Sequence, residues 1–344
     1  MGCLFSKGEA KKEEEPAPQV YSWDRKDRPD PKDFKLEDLN GETVGRVPGK
    51  VNGQQFVIKN CQNCNIYIFD HSATITVDKC LDCKIFLGPI KGSVFLRNCT
   101  SCKCVIACQQ FRSRDCKSID VFLHCGSQPI IEASTKMRFG CFQCHYPELP
   151  DQFSKSGLSP YRNTWDNIHD FSPMPDERNW SLLPDDAKVE DYVPMPTTEE
   201  FQDLKLSTSV DDSVVPLTLG GTKQKGSESS LVVFFKDSSS EEKLRQFLKD
   251  MRQEGSCSLA RTTEIEIDVG TAARILGEDE RYAKAVTNGA VVGLEFNGTD
   301  TAQTCQRVAQ PLVGDSVVFI PESSEVGSRS VEAWNSQVEA QMAM

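Results

Sequence analysis

Residues 61–69 read Cys61-Gln62-Asn63-Cys64-Asn65-Ile66-Tyr67-Ile68-Phe69. Nineteen residues on, Cys80-Leu81-Asp82-Cys83-Lys84-Ile85-Phe86-Leu87 repeats the pattern. Nineteen after that, Cys99-Thr100-Ser101-Cys102-Lys103-Cys104-Val105-Ile106 repeats it again. Fifteen residues separate Cys64 from Cys80 and Cys83 from Cys99, a spacing inside the zinc-ribbon window. A fourth unit, Cys116-Lys117-Ser118-Ile119-Asp120-Val121, follows seventeen residues later. Its fourth column continues the series Cys64, Cys83, Cys102 with Ile119, and its sixth continues Ile66, Ile85, Cys104 with Val121. A metal ligand cannot be exchanged for isoleucine, whereas a small buried apolar group can, and free cysteine behaves as one.

The residues ahead of each unit alternate. Phe56, Ile75, Val94 and Phe111 stand five before the cysteine, and Ile58, Val77, Leu96 and Ser113 stand three before it. Between them come Val57, Thr76, Phe95 and Arg112. Period-two alternation marks a strand with one buried face. A repeat of 17–19 residues cannot bury that face alone and must stack on its neighbours. The reading for residues 38–150 is a parallel β-helix with interior cysteine ladders. Zinc remains the alternative on spacing. Cys141-Phe-Gln-Cys144-His145 also matches the c-type haem pattern, and a redox CxxC would need a βαβ context absent here.

The chain has 344 residues, enough for two domains, with net charge −12, which argues against a nucleic-acid partner. No run approaches a membrane span of ~18 apolar residues, and no secretory signal is expected at the start. Fifteen cysteines in a chain of this length are read as reduced thiols. Met1-Gly2-Cys3-Leu4-Phe5-Ser6 fits the N-myristoylation pattern, with Gly2 as acceptor and Cys3 as a palmitoylation candidate. Two chains would anchor stably where one would not. Residues 1–31 are read as a lipidated flexible tether, 32–200 as the β-helix with a wrapping segment, and 201–229 as a linker. Trp165, Phe171 and Trp180 in the wrapping segment call for burial.

From Leu231 the period changes. Strands are expected at 231–235, 264–268, 290–296 and 316–320, with helices at 241–252 and 301–313. That alternation implies an α/β sandwich over 230–322, with a poorly ordered tail at 323–344. The four histidines, His71, His124, His145 and His169, all precede this region and have no catalytic or metal-ligand spacing.

Cys108-Gln-Gln-Phe-Arg-Ser-Arg-Asp-Cys116 in such a context resembles the tubulin-binding cofactor C domain family. So do Tyr21-Ser-Trp-Asp24, Glu42-Thr-Val-Gly-Arg46, Gly53-Gln-Gln-Phe56, Cys64 to Ala73, Gln128-Pro-Ile-Ile-Glu132 and Asn167-Ile-His-Asp-Phe171. The likeness runs from Met1 to about Asn297. It implies a right-handed parallel β-helix followed by a ferredoxin-like, nucleoside diphosphate kinase-like α/β domain. It also implies a GTPase-activating protein for an Arf-like small GTPase, here Arf-like 3 in its GTP state with Mg, without a cofactor or turnover of its own. The resemblance carries Arg112 over as the arginine finger, Gln109 and Gln110 as helpers that order the GTPase's catalytic machinery, and Glu132 and Phe171 as interface positions. A monomer is expected, at the cytoplasmic face of the plasma membrane with ciliary-base and Golgi or vesicle pools, in the traffic of lipidated cargo to cilia. The alternative is a lipid-anchored tubulin-folding or adaptor scaffold that only docks the GTPase.

The register supplies a physical reason for Arg112. Phe111 falls in an inward column and Arg112 in the outward one, so a guanidinium would be displayed on a rigid strand. That suits charge developing on a transferring phosphoryl group. Arg114, two residues on along the same face, is the rival. The C-terminal domain has no histidine for kinase chemistry, so it is read as a binding or scaffold module.

Overall fold

The computed structural model describes residues 30–221, 228–314 and 316–342, so Gly2 and Cys3 lie outside the described residues. The repeat builds a parallel β-helix. Phe56 has Ile75 as its Cα partner, Ile75 has Val94, and Val94 has Phe111, one residue per coil. On a second face Ile66, Ile85, Cys104 and Val121 stack in the same way. Both columns are buried, as are Cys61, Cys80, Cys99 and Cys116 and the series Cys64, Cys83, Cys102 and Ile119. The exchange of cysteine for isoleucine therefore occurs within one interior column.

The corners explain why cysteine is preferred there. The residue before each cysteine, Asn60, Asn63, Lys79, Asp82, Asn98, Ser101 and Asp115, has φ between 51° and 55°. Asn and Asp tolerate that left-handed region best among residues with a Cβ. Each such turn tips a carbonyl inward, and the following thiol donates to it: Cys99 to Arg97 O at 3.1 Å, Cys64 to Gln62 O at 3.1 Å, Cys83 to Leu81 O at 3.3 Å. Some thiols also reach the coil below, as Cys83 does to Cys61 O at 3.4 Å. Elsewhere in the interior, burial pushes the thiols of Cys104, Cys108 and Cys141 up, and that of Cys144 up to about 12, so they stay protonated. Among the described residues no group of three or more His, Cys, Asp or Glu is arranged to hold a metal.

The segment after the coils packs back on them through Trp165, Leu183 and Val193, and the packing continues past residue 200. Trp165 is buried and donates from Nε1 to Thr218 Oγ1 at 2.8 Å. Phe171, expected to be buried with it, is 62% exposed. The span 201–229 is not simply a linker. Phe201 packs edge-on to Tyr67 and Phe69, Val214 and Val215 are buried, and Leu219 N and Gly220 N donate to Leu259 O and Ala260 O. These apolar residues are scattered among Ser, Asp and Thr, which hid them from a composition argument.

Four antiparallel strands follow in the spatial order Cys257–Ile265, Val291–Gly298, Glu228–Phe234, Val318–Phe319. Helices Ser240–Glu254 and Thr301–Val313 cover one face through Phe247, Leu248 and Val308. The βαββαβ order is ferredoxin-like. The second strand ends at Ile265 rather than spanning 264–268, because Asp268 caps a helix at Val269–Leu276 by accepting from Thr271 N at 2.7 Å. The expected disordered tail is a helix, Ser324–Met342. It closes the sheet's other face with Val331, Trp334 and Val338, spaced i, i+3, i+7. Trp334 is 1% exposed and donates from Nε1 to Thr263 Oγ1 at 2.6 Å. Its indole fills the place of a side chain at Gly293, where a Cβ would stand 2.4 Å from the ring.

Trp334→Ala should cost about 3–5 kcal/mol of stability, the range for a buried aromatic truncated to alanine. Urea unfolding of the full chain measures it, and a change under 1 kcal/mol would mean the helix is not part of the core. His124 makes a second prediction. It is fully buried, its Nε2 lies 2.8 Å from Ser159 O, and burial lowers its pKa from 6.5 to about 4. Below pH 6.5 the unfolded chain takes up a proton that the folded chain refuses until about pH 4. The stabilisation is complete above pH 6.5 and falls by about 3 kcal/mol as pH drops to 4. His124→Gln should flatten the pH 7 to 4.5 slope relative to wild type in the same urea experiment.

Candidate functional site

The strand Lys103–Arg114 carries the arginine motif. Phe111 and Ser113 are buried while Gln110, Arg112 and Arg114 are exposed, so the three polar groups share the outer side. Arg112 has Phe95 and Ile130 as Cα partners on the neighbouring coils. Its side chain makes no hydrogen bond or ion pair among the described residues. Arg114 differs: its Nε lies 3.4 Å from Asp115 Oδ2 and 3.9 Å from Glu132 Oε1. Two arginines two residues apart are thus treated oppositely, one tied to carboxylates and one free.

Glu132 is the Cα partner of Arg114. Its side chain is half exposed, so the loose pair with Arg114 leaves the carboxylate open to an incoming group. Phe171 stands beside it, with its backbone N donating to Ile131 O at 2.9 Å. The Phe171 ring meets the His169 ring edge-on at 4.5 Å, and His169 is the Cα partner of Ile130. The segment is pinned from behind. Asp170 accepts from Ser172 N at 2.9 Å and from Asn179 Nδ2 at 2.8 Å, and Asn179 Nδ2 also reaches Ser172 O. An exposed aromatic held on a braced backbone presents apolar area at low entropic cost.

Gln110 joins this face, its Oε1 accepting from Ser93 Oγ at 2.8 Å. Gln109 does not. It sits at a coil corner, opposite the register shift between Ile90 and Ser93. Its side chain crowds Gly126, where a Cβ would stand 2.5 Å from Gln109 Oε1. From there it borders a cleft of about 410 Å³ shared with Ser159, Arg162, Glu264 and Glu266. Of the residues assigned by resemblance, Arg112, Gln110, Glu132 and Phe171 are brought together and Gln109 is turned away. Met174, 55% exposed just beyond Phe171, and the bracing role of Asp170 and Asn179 were missed by the sequence reading. Both lie in a Pro- and Asp-rich stretch with no periodicity to read. The larger cleft, about 580 Å³ beside helix Ser240–Glu254, spends charges internally in Arg245–Glu241 and Arg252–Asp211 pairs.

The family model described as Tubulin binding cofactor C matches residues 53–171, the coils and the arginine strand together with Phe171. A Mus musculus protein named Protein XRP2 is 49% identical over 346 residues, covering 99% of each chain. A Homo sapiens protein named Tubulin-specific chaperone C is 28% identical over 156 residues, 44% of this chain and 45% of that one. A solved structure titled Tubulin Binding Cofactor C from Leishmania major is 25% identical, covers 45% of this chain and 97% of its own, and has a TM-score of 0.31. With its near-complete, 49% identical overlap, this chain belongs to the XRP2 family.

Proposed function

We propose that this protein is a GTPase-activating protein for an Arf-like small GTPase, Arf-like 3, and that Arg112 is the finger it supplies in trans. The observation that carries the reading is the contrast at one strand: Arg112 exposed without a counter-ion, Arg114 held by Asp115 and Glu132. A guanidinium already neutralised by carboxylates would have to give them up before it could meet phosphoryl charge. A free one has no such cost, and its planar fork stays charged and bidentate. Glu132 and Phe171 then form the docking surface around it, and Gln110 and Gln109 help to order the GTPase's catalytic machinery, Gln110 from the same face and Gln109 by resemblance alone, since its side chain turns to the cleft. The GTPase brings its own GTP and Mg; the chain itself contributes no cofactor and no turnover. The C-terminal domain has no histidine, so it serves as a binding module rather than a phosphotransferase.

The same reading puts the protein, as a monomer, on the cytoplasmic face of the plasma membrane through acyl chains on Gly2 and Cys3, with pools at the ciliary base and on Golgi vesicles. There it would drive the GTPase cycle that delivers lipidated cargo to cilia. A second reading, a tubulin-folding or adaptor scaffold that docks the GTPase without activating it, draws on the 28% identical relative named Tubulin-specific chaperone C. One assay separates the two. In single-turnover hydrolysis with GTP-loaded Arf-like 3, wild type should accelerate the reaction and Arg112→Ala should lose ~10³-fold or more of that stimulation. Its affinity for the GTPase holding a non-hydrolysable analogue should stay within about threefold of wild type, since only transition-state charge is lost. Full stimulation by Arg112→Ala would refute the finger, and docking without stimulation by wild type would establish the scaffold. For the anchor, Gly2→Ala should move the protein from the membrane to the soluble fraction of lysed cells. Persistence in the membrane fraction would refute acylation as the tether.

A further inference from the structure

An arginine finger on a strand has a problem that a finger on a loop shares: its side chain is long and carries about 2 kcal/mol of rotamer entropy. Arg112 has no ion pair or hydrogen bond among the described residues to remove that freedom. What stands beside it is apolar. Along the outward row the Cα partners run Val57, Thr76, Phe95, Arg112, Ile130, His169. The two immediate neighbours are a phenyl ring and a branched aliphatic chain, both half-buried. Strands in a sheet lie about 4.8 Å apart, so these side chains rise on either side of the arginine's methylene stem. The Phe95 ring has a contact of its own, with the Arg97 guanidinium over it at 5.2 Å. The next row, Arg97, Arg114, Glu132, is wholly charged. The apolar flanks therefore coincide with the unpaired arginine and stop at the paired one.

We propose that Phe95 is a positioning residue for Arg112: with Ile130 it forms an apolar slot that holds the arginine stem extended and dry, so the guanidinium is aimed before the GTPase arrives. Arginine stems pack readily on apolar surface while the head stays in water. The slot removes rotamers in the free protein, and the entropy is then not charged to the transition state. This rests on Arg112 being the finger, and it specifies what makes it one. Phe95 projects outward from the coil, unlike the buried Val94 and Leu96 that flank it, so its loss leaves the interior columns intact.

The test uses the full chain and has two arms. In single-turnover hydrolysis with GTP-loaded Arf-like 3 at varied activator, Phe95→Ala should cut the maximal rate about tenfold, or about 1.4 kcal/mol, with the half-saturating concentration within twofold. Phe95→Leu, which keeps an apolar flank, should recover most of the rate. A loss carried wholly by the half-saturating concentration would make Phe95 a docking contact and overturn the proposal, as would a maximal rate within twofold of wild type. The second arm needs no GTPase: the NMR order parameter of the Arg112 Nε–H bond in the free protein should fall in Phe95→Ala and recover in Phe95→Leu, with that of Arg114 unchanged. An Arg112 already as mobile in wild type as in Phe95→Ala would overturn the slot even where hydrolysis is stimulated. Wild type that orders Arg112 yet stimulates no hydrolysis would instead overturn the finger, and the catalytic role of Phe95 with it.

Discussion

Every coil of this protein must lay its residues on the same residues of the coil before, because one turn of 17–19 residues has no interior of its own. The hydrogen bonds between stacked strands fix the spacing along the helix, and the corners decide whether a coil can close. Each corner needs a residue that accepts a left-handed backbone and a small buried donor for the carbonyl it turns inward. Asn, Asp, Ser or Lys supplies the first, at φ near 51–57°, and the thiol after it supplies the second. In the coil after Cys116 a serine takes the position: Ser134 is buried, follows Ala133 at φ 44°, and donates from Oγ to Glu132 O at 2.9 Å. Ile119 shows the limit of the rule: it fills the column and leaves its corner without the thiol bond.

Arg112 inherits its properties from that stacking. A strand bonded on both sides and filled beneath by Phe111 cannot tilt, so its outward side chains point in directions set by the whole solenoid. The difference between Arg112 and Arg114 is made by the residues stacked on them from the adjoining coils and by Asp115. Moving one residue pair along the strand replaces Phe95 and Ile130 with Arg97 and Glu132. The exposed pairs of Arg114 are worth little to stability. Their consequence is chemical: they determine which of two equivalent cations remains uncompensated on the surface.

The coils are legible in the chain because the period is written in residues of restricted type. Cys80, Cys83, Cys99 and Cys102 recur at nineteen, and Phe56, Ile75, Val94 and Phe111 alternate with exposed residues in step. That register was enough to put Arg112 outside and Phe111 inside. Three things were not legible. Phe171 is an aromatic whose burial is expected on general grounds, yet Asp170 and Asn179 brace it into solvent through side-chain hydrogen bonds within an aperiodic segment. Gln109 lies one residue from Gln110, and only the corner between them sends its side chain to another face. The C-terminal helix does carry a 3.6-type stripe at Val331, Trp334 and Val338, but its partner, the uncovered face of a sheet beginning some hundred residues earlier, is a tertiary fact.

The two folded parts are joined by chemistry that composition conceals. The Asp166 side chain is 6% exposed, and its Oδ2 accepts from Gly221 N at 2.8 Å and from Arg261 Nε and Nη2 at 3.2 and 3.1 Å. A buried carboxylate is tolerable only when its lone pairs are filled, and here three donors converge on one oxygen. A Cβ at Gly221 would stand 2.1 Å from the Arg261 guanidinium, so a larger residue there would displace that guanidinium from Asp166. Residues 34–344 consequently form one compact unit, in which the cleft beside Gln109 has one wall from the coils and one from the ferredoxin-like sheet. Gln109 lies three residues from Arg112, yet the corner after it turns its side chain into this cleft, so the surface on which the two domains meet is separate from the face that displays the arginine.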